Sequence, residues 1–242
     1  MDKIAEFKVA SWNMHKGADC WGRAADVDHS LEALRRQDWD LCFLQEAPGT
    51  ALARFAKEHG LEMVYGFTRA ASGAHYGNAI LAKKGRAHLL GNQVISAHRV
   101  EFRRALFARV ELPDHRVIVA GSTHFGLTQR WRLGQALRLA EHVAALAGAV
   151  GEGLGGVVIG GDFNDRSLGV SRIMGEHGFV DGTAEGTNAR RLLSYPAQFP
   201  LLPLDAIYSK GLSPVGREIL GGKNGWKRYS DHLPIAVNLM EE

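Results

Sequence analysis

Asp162 and Asn164 stand two residues apart at the end of an apolar, β-branched run that closes with Gly160 and Gly161. Residues i and i+2 of a strand point to the same side, so this spacing can aim a carboxylate and an amide at one point. A carboxylate can take a proton from water while an amide orients that water, and the pair could therefore activate a nucleophile. A β-turn after a buried strand explains the same residues, because Gly, Asp and Asn are common in turns.

Five other apolar runs also carry a polar residue at one end. Each of these residues alone could be a strand-end cap, a turn former or a satisfied histidine. Ligands of α/β sheets bind at strand ends, however, and six such placements are difficult to attribute to turn chemistry. We therefore expect these polar groups to converge on one site. The five further runs contribute Asn13, Glu46, His124, Asp205 and the pair Asp231 and His232.

Three of the predicted site residues, Asn13, Glu46 and Asp231, offer hard oxygen atoms. Oxygen ligands of this kind suit Mg²⁺ or Mn²⁺. The sequence has no cluster of His and Cys with the spacing of a zinc site. A divalent cation held here would polarise a phosphoryl oxygen or stabilise a leaving oxyanion. We therefore expect Mg²⁺, or Mn²⁺, as the cofactor.

The remaining predicted site residues fit the hydrolysis of a phosphate ester. Asp162 could deprotonate an attacking water that Asn164 orients. His124 and His232 could donate hydrogen bonds to a phosphoryl group as it gains negative charge. Asp205 could hold His232 in one tautomer and favour its protonated form.

An alternation of short apolar strands and helical segments must position these groups. The strands 105–112 and 116–123, joined by Pro113-Asp114-His115, are predicted to form an antiparallel hairpin. The predicted strands are too many for one open twisted sheet, so we expect two packed sheets with helices outside, in one domain over residues 1–242. The predicted strands are 7–13, 40–45, 62–67, 77–83, 105–112, 116–123, 156–161, 204–209 and 233–239, and the predicted helices are Val27–Gln37, Ala51–His59, Gln129–Val150 and Leu168–His177.

Composition narrows the class of protein. The 242 residues suffice for a large α/β domain, and a net charge of +3 is compatible with an anionic substrate but too small to indicate nucleic-acid binding by itself. Cys20 and Cys42 form no CxxC pair, which fits a reducing compartment. The sequence shows no signal-peptide core and no apolar run of about 18 residues, so we expect a cytoplasmic protein without a membrane span.

The order of the polar strand ends resembles that of the endonuclease/exonuclease/phosphatase superfamily, the metal-dependent phosphodiesterases and phosphatases similar to deoxyribonuclease I. The resemblance extends from about residue 7 to residue 239, and it implies a four-layer α/β sandwich of two mixed β-sheets with helices on the outer faces. The blocks that carry it are Trp12-Asn13, Gln45-Glu46, Thr123-His124, Gly161-Asp162-Phe163-Asn164, Leu204-Asp205-Ala206-Ile207 and Ser230-Asp231-His232. The roles that it implies are metal binding at Glu46 with Asn13 and Asp231 nearby, base or water-orienting work at Asp162 and Asn164, and an Asp205–His232 pair.

Further residues are predicted to contact the substrate. Asn78 lies in a stretch that resembles the family's fourth strand, where this residue faces the phosphate. Arg103 or Arg104 matches a segment whose arginine reaches the site, and a guanidinium can bind phosphate bidentately. A solvated charge at the start of a strand explains either arginine equally. Trp226, on a Gly-rich loop, is the tryptophan that we expect at the substrate. Other basic residues that could bind phosphate are Lys16, Arg130, Lys223, Lys227 and Arg228.

Three functions stay open at this point. The first is a metal-dependent phosphodiesterase or phosphatase that acts on a small or lipid-like phosphate ester. The second is a nuclease acting on DNA or RNA, and the third is a catalytically inactive binding scaffold of the same fold. The stretch Met14-His15-Lys16-Gly17 resembles a small bacterial subgroup, which leaves the substrate open. The chain departs from the abasic-site endonucleases, because Gly126-Leu127-Thr128 leads directly into a predicted helix where those enzymes carry a tyrosine-containing loop with a Pro-Asn pair.

Overall fold

Strands and helices alternate along the chain in the computed structural model, which describes residues 6–71, 74–96, 103–150, 153–185, 190–222 and 224–241. None of the helices in these ranges is long and apolar enough to cross a membrane. The helices are α1 (Val27–Arg35), α2 (Gly49–Glu58), α3 (Gln129–Val150) and α4 (Gly169–Glu176). The strands are β1 (Phe7–Asn13), β2 (Leu41–Pro48), β3 (Leu61–Ala71), β4 (Ala74–Lys83), β5 (His88–Ser96), β6 (Arg104–Glu111), β7 (Val117–His124), β8 (Leu154–Asp162), β9 (Val180–Asp181), β10 (Ala184–Glu185), β11 (Arg190–Arg191), β12 (Asp205–Lys210), β13 (Leu212–Ile219) and β14 (Ile235–Glu241).

Most of these strands belong to two six-stranded sheets, and β10 and β11 form a separate small ribbon. The first sheet has the order β13-β14-β1-β2-β4-β3, and the second has the order β5-β6-β7-β8-β12-β9. Both are mixed, because β1 pairs with β2 and β7 pairs with β8 in parallel while their other neighbours pair antiparallel. The helices α1 and α3 make the two parallel crossovers. The predicted hairpin is confirmed as β6 and β7.

Three apolar clusters show how the layers stack. The central cluster lies between the sheets and joins Val9 and Phe43 of the first to Leu106 and Val158 of the second. A second cluster packs α1 and α2 against the outer face of the first sheet, and a third packs α3 and α4 against the outer face of the second. The predicted four-layer α/β sandwich of two mixed sheets is therefore confirmed.

Both faces of the central strands are covered, which explains their continuous apolar runs. In β8, Val158 faces the other sheet while Val157 and Ile159 face the helices, as the two-residue period of a strand requires. The next residue has to be Gly160, because a Cβ there would stand 2.3 Å from the Phe43 ring of the facing sheet. This close approach brings the end of β8 next to β2, and both strands carry predicted site residues.

Candidate active site

The polar strand ends meet at one edge of the two sheets. The strands β1, β2, β7 and β8 end at this edge, and β12 begins there. Across β7 and β8 the register places His124 opposite Asp162, and across β8 and β12 it places Asp205 opposite the same residue. A cleft of about 360 Å³ opens at these ends. The predicted site residues that line it are Asn13, Glu46, Arg103, His124, Asp162, Asn164, Asp231 and His232.

Asp162 is the central carboxylate of the cleft and is almost fully buried. Its Oδ1 accepts the backbone N–H of Asn164 at 3.0 Å, which fixes the carboxylate in an Asx turn. Its Oδ2 accepts the Asn13 amide at 3.0 Å, and the Nε2 atoms of His124 and His232 lie 3.3 and 3.7 Å away. Burial raises the pKa of Asp162 to about 7, against the opposing effect of the charged His232. Such a carboxyl group can exchange a proton near neutral pH.

Asp205 holds His232 from behind the cleft. Its Oδ2 lies 2.7 Å from His232 Nδ1 and also accepts the Ser194 hydroxyl at 2.5 Å, while Oδ1 is buried with no hydrogen-bond partner among the described residues. Burial of the imidazole disfavours its charged form, but the carboxylates of Asp205 and Asp162 outweigh this and raise the pKa of His232 to about 10. His232 therefore presents a protonated Nε2 toward Asp162.

The other cleft histidine, His124, has the opposite character. Its ring is buried beside the positive charges of Arg103 and His232, and burial followed by these charges holds its pKa well below the usual range. His124 is therefore neutral and has one N–H to donate. The cleft thus combines one charged and one neutral imidazole on either side of a single carboxylate.

Asn164 follows Asp162 with a left-handed backbone, φ 52°, a conformation that asparagine tolerates better than most residues. Its side-chain amide donates to the carbonyl of Phe125 at 3.1 Å, in the loop after β7. This bond fixes the amide plane and ties the end of β8 to the end of β7. The side chain lines the cleft beside Asp162, where a water-orienting group is expected.

Glu46 reaches the cleft through a backbone irregularity. The β2–β4 register shifts between Leu44 and Ala47, and Glu46 has a positive φ of 48°. Strain of this kind is sustained where the surrounding structure enforces it, often at functional sites. The Glu46 carboxylate lies 3.2 Å from the ammonium of Lys16, so it already faces a cation at the edge of the cleft.

The oxygen donors of the cleft fit a magnesium-type ion. No three His, Cys, Asp or Glu side chains form a metal cage within the described ranges. Mg²⁺ needs no such cage, because it keeps several waters and is held by one or two carboxylates together with a substrate phosphate. Glu46 and Asp231 supply carboxylates to the cleft, and the Asn13 side-chain oxygen, which accepts the His15 N–H at 2.9 Å, keeps a free lone pair.

The Ser230-Asp231-His232 triplet is anchored by its serine. The Ser230 hydroxyl donates to the carbonyl of Asn13 at 2.6 Å and accepts the backbone N–H of His232 at 3.1 Å. These bonds tie the segment before β14 to the end of β1. The Tyr195 ring stacks at a tilt against His232, with the ring centres 4.9 Å apart. The sequence pattern did not single out Tyr195, which also lines the cleft.

The three predicted substrate contacts lie in different positions. Arg103 lines the cleft, whereas Arg104 lines only a neighbouring groove and donates to the carbonyl of Phe67 at 2.8 Å. Asn78 lines the same groove, and its amide donates to the Arg104 carbonyl at 2.6 Å. The geometry therefore favours Arg103 over Arg104 as the arginine nearest the predicted catalytic groups. Two further basic residues, Arg69 and Arg166, line the cleft without having been predicted.

The expectation that Trp226 contacts the substrate is wrong. Its ring is buried among the apolar residues under the first sheet, 5.2 Å from the ring of Trp12, and its N–H donates to the Leu220 carbonyl at 2.7 Å. The Gly-rich loop turns this side chain inward because an indole buries a large apolar area once its N–H finds an acceptor. Lys223, on the same loop, lies outside the described residues.

Arg191 is a buried support for the site that sequence reasoning missed. Its guanidinium lies 3.1 Å from Asp181 and donates to the carbonyls of Asp165 and Asp205, each at 3.3 Å. It therefore links the turn after β8 to the first residue of β12. A lone arginine between short strands gives no periodic or motif signal by which it could have been found.

Arg191→Met is expected to lower the free energy of unfolding by about 3 kcal/mol, because removing one partner of a buried ion pair leaves the other charge uncompensated. Equilibrium urea denaturation measures the loss. Arg172→Met, on the exposed face of α4 with 73% of its side chain accessible, is the matched control and should change stability by less than about 0.5 kcal/mol. An equal, small effect of both substitutions would contradict the structural role of Arg191.

Comparison with known proteins decides the family. The profile of the Endonuclease/Exonuclease/phosphatase family matches residues 10–232, which include every cleft residue that the sequence predicted. The chain belongs to this family. Members of the superfamily are phosphoesterases or nucleases, and they act on phosphate esters as hydrolases.

The family contains relatives of diverse description. The uncharacterized protein YbhP of Escherichia coli strain K12 is 29% identical over 249 residues, covering 96% of each chain. The structure of D. rerio TDP2 complexed with a single-strand DNA product has a TM-score of 0.74 at 18% identity, covering 97% of this chain and 99% of TDP2. The Bacteroides thetaiotaomicron mannosyl-6-phosphatase Bt3783 has a TM-score of 0.73 at 15% identity, covering 97% and 99%. At these identities the two structures show a shared fold.

Proposed function

We propose that this protein is a metal-dependent phosphoesterase that hydrolyses a phosphodiester or phosphomonoester by in-line attack of an activated water. The observation that carries the proposal is the arrangement around Asp162, whose Oδ2 faces Asn13, His124 and His232 within 3.7 Å. One carboxylate thus lies among donors of different charge at the mouth of a cleft. This is the arrangement that a proton acceptor beside a reacting anion requires.

Each residue has a separate task in the proposed reaction. Asp162 accepts the proton of the attacking water, which Asn164 helps to orient. His232, kept protonated by Asp205, donates from Nε2 to a phosphoryl oxygen as its negative charge grows. His124, which is neutral, donates its single N–H to the same group or to the leaving oxygen.

Mg²⁺ or Mn²⁺ is the cofactor that we propose, with Glu46 as its main ligand and with Asn13 and Asp231 beside it. A cation of this kind polarises the phosphoryl oxygen and neutralises charge on the leaving group. Cations also line the cleft where an anionic ester has to enter, and Arg103 and Lys16 are the nearest of these to Glu46 and His124. Their charges attract the substrate and orient its phosphate.

Glu46→Gln is expected to raise the Mg²⁺ concentration for half-maximal turnover by roughly 10- to 100-fold, because it removes the ligand charge while keeping the side-chain size. Turnover of bis-p-nitrophenyl phosphate against Mg²⁺ concentration measures this. Glu58→Gln, on the exposed side of α2, is the matched control. An unchanged Mg²⁺ requirement in Glu46→Gln would contradict the ligand role.

A panel of metals and substrates tests the proposed function. Monoesters, diesters, plasmid DNA, RNA, phospholipids and inositol phosphates are each incubated with Mg²⁺, Mn²⁺ or EDTA. We expect at least one phosphate ester to be hydrolysed with a divalent metal, and the activity to be lost in EDTA and in His232→Ala. Absence of turnover across the panel, or full activity of His232→Ala beside the control His115→Ala, would overturn the proposal and favour a binding scaffold.

A nuclease is the second candidate function, and the cationic lining of the cleft favours it. Nucleic-acid binding that depends on phosphate contacts falls steeply with salt, since each neutralised phosphate releases condensed counterions. Turnover of a small ester depends on salt far less. The slope of kcat/KM against salt for a DNA or RNA substrate therefore separates the two candidates.

A further inference from the structure

A groove continues from the cleft toward the hairpin formed by β3 and β4. It has a volume of about 240 Å³ and shares Lys16, Glu46, Arg69, Arg103 and His124 with the cleft. Its other walls include Thr68, Tyr76, Asn78 and Arg104. We call this recess the hairpin groove. It extends away from Asp162 and His232, which line only the cleft.

The hairpin groove holds more positive charge than one scissile phosphate requires. Lys16, Arg69, Arg103 and Arg104 line it, against the single carboxylate of Glu46, which already lies 3.2 Å from Lys16. A phosphoryl group in the cleft would face the protonated His232 and the ion at Glu46. The arginines at the far side of the groove then need a different anion, because like charges gathered without a counterion repel one another.

The local backbone turns side chains into the hairpin groove. The β3–β4 register shifts between Phe67 and Arg69, and bulges of this kind redirect side chains beside active sites. The Thr68 hydroxyl, in this bulge, is buried and has no hydrogen-bond partner in the described parts of the chain. A buried hydroxyl without a partner is costly, and a ligand oxygen in the groove would relieve that cost.

One wall of the hairpin groove is already fixed. The Arg104 guanidinium donates to the carbonyl of Phe67 at 2.8 Å and lies over the Phe67 ring, while the Arg104 carbonyl accepts the Asn78 amide at 2.6 Å. A guanidinium has five N–H donors, so this bond leaves others for a ligand. The start of β6 is thereby tied to β3 and β4 before any substrate binds.

We propose that the hairpin groove is a second anion subsite, and that the substrate carries another phosphoryl group, not cleaved, a few bonds from the scissile one. Arg69 and Arg103 bind this second group and the Thr68 hydroxyl donates to it. This inference rests on the proposed function, because it takes the cleft as the place of cleavage. The chemistry is shared by a nucleic-acid strand and by a small bisphosphorylated metabolite.

A binding comparison tests the subsite. Isothermal titration calorimetry gives the dissociation constants of butane-1,4-diol bisphosphate and of butyl phosphate for the full chain. We expect the bisphosphate to bind at least about tenfold more tightly, the gain typical of one added charge-assisted contact. Arg69→Gln should remove most of this preference, whereas Arg172→Gln, remote on α4, should keep it. Equal affinities in the wild-type chain would overturn the proposal.

A second variant guards against misfolding of the first. Thr68→Val removes the hydroxyl at nearly constant volume and should reduce the preference for the bisphosphate by about threefold. A preference unchanged in both Arg69→Gln and Thr68→Val would also overturn the subsite. Loss of the preference in folded Arg69→Gln, with the mono-phosphate affinity changed less than the bisphosphate affinity, supports it.

Two further measurements separate the outcomes. Turnover of bis-p-nitrophenyl phosphate reports on the proposed function alone, so a chain that binds the bisphosphate selectively but hydrolyses nothing would refute only the catalytic proposal. Competition by a 5′-phosphorylated thymidine dinucleotide and by an inositol bisphosphate identifies the source of the second phosphate. Stronger competition by either one supports the subsite and assigns its class, and competition by neither overturns it.

Discussion

Asp162→Asn is expected to lower kcat for a phosphate ester by about 10³-fold, within the range that a positioned general base contributes. The amide keeps the size of the carboxylate but cannot accept a proton from water. Its oxygen can still face the Asn13 amide, so the cleft should keep its shape. Burial already raises the pKa of Asp162, which means that folding gains little from the charge that the substitution removes.

Steady-state kinetics and thermal unfolding of the same preparation test this prediction. Asp38→Asn, with 75% of its side chain exposed near the start of β2, is the matched control and should keep wild-type kcat. We expect Asp162→Asn to unfold at a temperature close to that of the wild type. A folded Asp162→Asn protein whose kcat lies within tenfold of the control would exclude this carboxylate as the base.

Asp205→Asn is expected to have the next largest effect, a decrease in kcat of about 10²-fold with little change in KM. Asp205 is a positioning residue that acts through His232, to which it is bound at 2.7 Å. The substitution removes the negative charge that keeps the imidazole protonated, as in other carboxylate–histidine pairs. It also places an amide N–H₂ where a buried carboxylate oxygen has no partner among the described residues.

Ser194→Ala gives the companion measurement for this pair. It deletes the hydroxyl that donates to Asp205 but keeps the charge, so we expect a smaller decrease in kcat, of roughly tenfold or less. A general loss of packing would change kcat and KM together, or would lower the unfolding temperature of both variants equally. If Asp205→Asn raised KM and left kcat unchanged, the assignment of the Asp205–His232 pair to catalysis would be wrong.

The central strands could be predicted from the sequence, and two edge strands could not. β7 and β8 are buried on both faces and therefore read as continuous apolar runs. β5 and β13 were missed, because Gly91-Asn92 interrupts one and Pro214 with Gly216 interrupts the other. Both strands lie at sheet edges, where a proline, a glycine or a bulge costs least. A pattern built on alternating apolar residues treats such segments as loops.

The site could be predicted where its residues end strands. Asn13, His124 and Asp162 were found because the chain direction of parallel strands brings their ends to the same edge. Arg69 was missed, since a β-bulge rather than a motif turns this strand residue toward the cleft. Arg191 was missed because its partners are backbone carbonyls far away in sequence. Contacts of these kinds depend on the tertiary structure and leave no local pattern.

Hydrolysis of bis-p-nitrophenyl phosphate in ¹⁸O-labelled water tests the central claim most directly, namely that the cleft activates a water through Asp162. The wild-type protein and Asp162→Asn are compared with Mg²⁺ and with EDTA, and the products are analysed by mass spectrometry. We expect the wild type with Mg²⁺ to release p-nitrophenyl phosphate that carries one solvent oxygen on phosphorus, and Asp162→Asn to form almost none. Label recovered in p-nitrophenol instead, or equal label incorporation by folded Asp162→Asn, would contradict the account.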